Sequence, residues 1–83
     1  MKPAISREQE RLMRHALGVG EGGAKTPYRN RFATFMGGEA YNNWADLCRK
    51  GLAEHWDTAE SGMMFFAVTL DGHARIGVTP EGR

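Results

Sequence analysis

What the chain has little of narrows the field first. Cys48 is the one cysteine in 83 residues, so no internal disulfide framework can hold the fold. No apolar run approaches the roughly 20 residues of a membrane-spanning helix. The opening residues 1–7 lead into no apolar stretch of the kind a secretory signal needs. A lone thiol without a signal leads us to expect a reducing cytoplasm and no membrane partner. There is no internal repeat, and low complexity is confined to one glycine-rich segment.

What is present fits one small globular domain. A chain of 83 residues buries only about 60–65% of its unfolded surface, so the core is small. With 41% hydrophobic and 25% charged residues, the composition is that of a folded chain and not a disordered one. The net charge of +1 conceals a polarity. Residues 1–31 hold seven Lys/Arg against three Glu, a balance of +4, and residues 32–83 hold four against seven acids, a balance of −3. One part of the molecule is suited to face an anion and the other is not.

Two helices are well signalled. Ser6 and Gln9 have the spacing of a capping box, with Glu8 and Glu10 at the positive end of the dipole. Leu12, Met13, Ala16 and Leu17 form an apolar stripe, and Gly18 is a natural stop, which predicts a helix over 6–17. A second helix over 40–51 puts Tyr41, Trp44, Leu47 and Cys48 on one face, with Gly51 as its terminator. Between them lies a loop with glycines at 18, 20, 22 and 23, then a short basic and aromatic stretch, 28–35, of extended character.

The last third reads as sheet. Residues 52–57 and 63–69 predict two strands joined by a polar turn. The second strand alternates Met64, Phe66 and Val68 against Phe65 and Ala67. Asp71-Gly72 fits either a hairpin turn or the start of a short helix capped by Thr69 with Ala74 and Ile76 facing inward. The helix is the expectation here.

The run Lys50-Gly51-Leu52, strand, polar turn, strand, Val68-Thr69-x-x-Gly72-x-x-x-Ile76 resembles the second half of winged-helix domains. The resemblance covers residues 41–77 and implies an α+β domain: two main helices, a two-stranded β-wing and a short C-terminal helix. A broader likeness spans residues 11–77. Arg14-His15-Ala16-Leu17-Gly18, Tyr28-Arg29-Asn30, Lys50-Gly51-Leu52 and Phe66-x-Val68-Thr69 resemble small phage- and prophage-encoded proteins of unknown function. That likeness implies a bacterial host.

Several chemical motifs fail on context. Gly18-x-Gly20-x-x-Gly23 matches a dinucleotide fingerprint in letters, but a helix precedes it where a strand is required, and Pro27 follows. Cys48, His15, His55 and His73 have no short metal-ligand spacing, and Cys48 sits on an apolar helix stripe. No nucleophile–base pair stands out. We expect no enzyme, no cofactor and no metal.

Two binding readings remain. In the first, Lys25, Arg29 and Arg31 neutralise nucleic-acid phosphates while Asn43, Arg49 and Lys50 of the second helix reach a groove. In the second, Glu54, Asp57 and Glu60 of an acidic wing, with Trp56 and Phe65, meet a host protein or a second copy of the chain. The first is the leading expectation. The second covers a phage factor that inhibits host machinery, including anti-defence inhibitors of the anti-CRISPR kind.

Overall fold

A computed structural model of the chain describes residues 4–19, 30–57 and 62–78. The elements follow the order α1 (Arg7–Leu17), β1 (Phe32–Phe35), α2 (Glu39–Arg49), β2 (Ala53–Asp57), β3 (Met63–Val68) and α3 (Leu70–Arg75). This is a small α+β domain with three helices and one antiparallel sheet of strand order β1-β3-β2.

α1 starts where its capping box dictates. The Ser6 hydroxyl accepts the Gln9 N–H at 3.0 Å, and the Gln9 side-chain oxygen accepts the Ser6 N–H at 2.9 Å. Two donors that a helix start leaves free are satisfied at once. Met13, Ala16 and Leu17 are buried and face the sheet. α2 buries Trp44 and Leu47 and half-buries Tyr41 and Cys48. It ends at Arg49, short of the expected 51, because Gly51 turns the chain at φ 77°. A left-handed backbone of that kind suits glycine.

The sheet has three strands: the two expected of the wing, and β1 from the stretch of extended character between the helices. β1 comes from the basic and aromatic stretch, and it lies on the far edge of β3 with Phe32 opposite Phe66 and Ala33 opposite Phe65. Phe32 is anchored by Trp44, whose ring it meets at 5.5 Å. Once that side chain is in the core, β3 offers the unpaired edge that satisfies the backbone of the segment. Asn30 extends the pairing beyond the strand. Its side-chain amide donates to the Val68 carbonyl at 3.0 Å and accepts the Val68 N–H at 2.8 Å, as a peptide unit would.

The inner sheet face and the helices enclose Met13, Leu17, Trp44, Leu47, Met64, Phe66 and Val68. Trp44 stacks on Phe66 at 5.4 Å between ring centres.

Asp71-Gly72 opens a helix. The Thr69 hydroxyl accepts the Gly72 N–H at 3.0 Å. The same hydroxyl donates to the Gly51 carbonyl at 2.8 Å, and the Thr69 N–H donates to the Leu52 carbonyl at 3.1 Å. The Gly51-Leu52 turn and the Thr69–Gly72 step are therefore one locked joint. Ala74, expected inward, is exposed, and His73 is buried in its place. The close seat of Gly72 on Leu52 fixes how α3 rolls, and that roll turns Gly72, His73 and Ile76 inward.

Candidate functional site

The polar side of α2 leans on α1. Gln9 is buried, and its side-chain nitrogen donates to Asp46 Oδ2 at 2.9 Å and to the Asn43 carbonyl at 3.4 Å. Lys50 Nζ reaches Asp46 Oδ2 at 2.8 Å and also donates to the Ala4 carbonyl. Arg49 reaches Asp46 Oδ1 at 2.9 Å. The Asn43 side chain donates to the Glu39 carbonyl within its own helix. One carboxylate thus gathers both cations of the expected groove-reading face. Hydrogen bonds from Lys50 and then Gln9 pull the Asp46 carboxyl down to about 2 against the desolvation that would raise it, with a smaller lowering from Arg49. Of this set Arg49 alone is well exposed, its side chain at 70%.

The outer face of the sheet gathers the other residues. Alternation and register put Ala33 and Phe35 of β1, Met63, Phe65 and Ala67 of β3, and Glu54 and Trp56 of β2 on the side away from α1 and α2. Phe35 is 63% exposed and Trp56 44%. Trp56 meets Phe65 edge to face at 5.8 Å. From the opposite side the Arg31 guanidinium lies 5.7 Å from the centre of the Phe65 ring. Phe65 is the middle of a row of three. Arg31 and Glu54 are exposed, and neither makes an ion pair among the described residues.

Arg31, expected on nucleic acid, therefore shares a face with Glu54, Trp56 and Phe65, expected on protein. Asn43 and Arg49 lie elsewhere, on α2, and Lys50 caps its C-terminal end. Asp57 ends β2 opposite Met64. Lys25, Arg29 and Glu60 lie outside the described residues, as does the glycine loop from residue 20. Sequence reasoning missed Phe35 and Ala33. The signal was there: once Phe32 is a core residue, strand alternation turns Ala33 and Phe35 out.

A separate open cavity of about 300 Å³ lies between α2 and the sheet, lined in part by Tyr41, Cys48, Arg49 and His55. Burial, and then the Glu54 charge, push the Cys48 thiol up from its ordinary value, with Arg49 working the other way. A thiol so placed is a weak nucleophile. Among the described residues no three His, Cys, Asp or Glu side chains are placed to hold a metal ion. No helix among them is long and apolar enough to cross a membrane. No family model, curated protein or solved structure matches the chain.

Proposed function

We propose that the protein is a non-catalytic binding module that meets a protein partner through the outer face of its sheet. The observation that carries this reading is the row Arg31, Phe65, Trp56, with Phe35 beside it, on a face that the two main helices do not cover. Large exposed aromatics flanked by an arginine are the residue types that dominate protein interfaces. Glu54 on the same face would repel phosphate, and that favours a protein over nucleic acid.

The module is winged-helix-like in this reading. Its support is the joint between Gly51-Leu52 and Thr69–Gly72, the steps that carry the resemblance, together with a helix-strand-strand-helix order from α2 onward. An orthodox helix-turn-helix has a helix just before the recognition helix. Here β1 stands in that place, the Asn43 side chain bonds the Glu39 carbonyl of its own helix, and Lys50, which caps α2, is drawn to Asp46 and the Ala4 carbonyl. The likeness to phage proteins supports a partner from a bacterial host, met in the cytoplasm.

Nucleic acid is the second reading. It is favoured by one observation, the exposed Arg31 beside the aromatic row, because aromatics next to a cation can stack bases. The two readings separate in one experiment. Tagged wild type and Trp56→Asp are used to capture partners from a nuclease-treated bacterial lysate. Protein bands held by wild type and lost by the variant support the reading. Equal capture by both, or recovery that vanishes with nuclease, overturns it. In the second case, binding of wild type to single-stranded DNA that weakens steeply with salt would take its place.

A further inference from the structure

The outer face is arranged to fit itself. Its side chains stand in rows across the strands. Ala33 and Trp56 flank Phe65 on either side. Glu54 lies opposite Ala67 on the β2 flank of the face, and Arg31, just before β1, lies on the other flank with its guanidinium 5.7 Å from the centre of the Phe65 ring. The β1 flank therefore carries a cation and the β2 flank an anion, and the cross-strand row through Phe65 runs small, aromatic, large aromatic. A two-fold axis parallel to β3 and passing between two facing sheets would lay β1 of one copy over β2 of the other. Arg31 would then meet Glu54 of the second copy, and Ala33 would leave room for its Trp56. Phe65 would meet Phe65 near the axis. Charge and volume are each complementary under that one operation.

Resting on the reading that this face binds protein, we infer that its occupant is a second copy of the chain, packed sheet on sheet. The interface is isologous, so each contact occurs twice. Facing sheets pack aligned to within about 30°, which a two-fold along the strands satisfies. Each three-stranded face spans only roughly 14 by 17 Å, as strands about 4.8 Å apart and five residues long dictate. That is small for a specific interface, so the dimer expected is reversible and weaker than micromolar.

Sedimentation velocity over a concentration series tests this on the full chain. Wild type should pass from monomer to dimer. Trp56→Asp should remain monomeric, and Arg31→Glu and Glu54→Arg should each weaken association by about tenfold. The double variant Arg31→Glu/Glu54→Arg should recover most of the loss, because the swap restores the pairing. Circular dichroism confirms that each variant folds, and Phe35→Ser serves as a milder probe should Trp56→Asp fail to do so. A wild type that stays monomeric at several hundred micromolar overturns the dimer. So does a dimer that ignores Trp56→Asp and gains nothing from the swap. A wild type that fails to dimerise leaves the broader reading intact where Trp56→Asp abolishes its capture of a lysate protein. Where that capture also survives, both fail.

Discussion

Gln9 holds its own helix with one side-chain atom and the neighbouring helix with the other: the oxygen accepts the Ser6 N–H, and the nitrogen donates to Asp46 at 2.9 Å. A buried amide that serves both helices explains why α2 turns its polar side toward α1. Gln9→Ala should destabilise the fold by about 1–2 kcal/mol, since it removes the cap partner of the Ser6 N–H and the buried amide that bridges the two helices. Gln9→Glu keeps the acceptor for the cap and replaces the donor with a second carboxylate. It should be more harmful at pH 7 than at pH 3. Urea melts at the two pH values check both variants.

The same cluster sets an acid limit. Asp46 is held at about 2 in the folded chain against an ordinary 3.8. A depressed carboxylate adds stability above the ordinary value and loses it as pH falls through the folded one. The window for Asp46 is therefore about pH 4 down to pH 2. In Asp46→Asn the melting temperature should fall less than that of wild type across this window. Thermal melts from pH 5 to pH 2 measure the difference, and parallel curves would remove Asp46 from the acid response.

Gly72 should be intolerant of alanine, against the usual preference in helices. A Cβ there would lie 2.2 Å from the Leu52 carbonyl oxygen and 2.6 Å from Val68 Cγ1. In an open helix Gly→Ala stabilises by about 1 kcal/mol. Here the joint between α3 and the Gly51-Leu52 turn must open, and a loss of about 2–4 kcal/mol is expected. A chemical-denaturation series on Gly72→Ala and on Ala74→Gly, at an exposed position of the same helix, separates packing from propensity.

The helices and two of the strands were legible because their signals are local. Ser6 and Gln9 fix a helix start, Gly51 fixes a stop, and the alternation of Met64, Phe66 and Val68 fixes a buried strand face. The third strand was less legible because its partner is distant. Residues 32–35 pair with 63–66, and only the anchoring of Phe32 on Trp44 makes that worthwhile. The roll of α3 was missed for a similar reason: the contact of Gly72 with Leu52 decides it, and apolar spacing does not. The candidate site was half visible. Trp56 and Phe65 stand out as surplus aromatics for one small sheet, yet their union with Arg31 and Phe35 needs the sheet order. Asn43, Arg49 and Lys50 read as a free polar face because the pairing of Arg49 and Lys50 with Asp46 at i,i+3 and i,i+4 went unread, and nothing local shows Gln9 and the Ala4 carbonyl drawing Asp46 and Lys50 toward α1.

Cys48 gives the last test, because its setting predicts slow chemistry at an accessible atom. It lines the open cavity beside α2 and is half-buried, so a small reagent can reach it. Burial and the Glu54 charge raise the thiol above its ordinary value, and the thiolate is the reactive form. Alkylation by iodoacetamide at pH 8 should be slower than for the unfolded chain, and its pH midpoint should lie above the ordinary thiol value. Glu54→Gln should move that midpoint down and raise the rate, and Arg49→Gln should do the reverse. Labelling rates by mass spectrometry from pH 7 to pH 10 decide it. A folded rate equal to the unfolded one would mean the thiol is freely solvated, and the packing of Cys48 against the core would have to be redrawn.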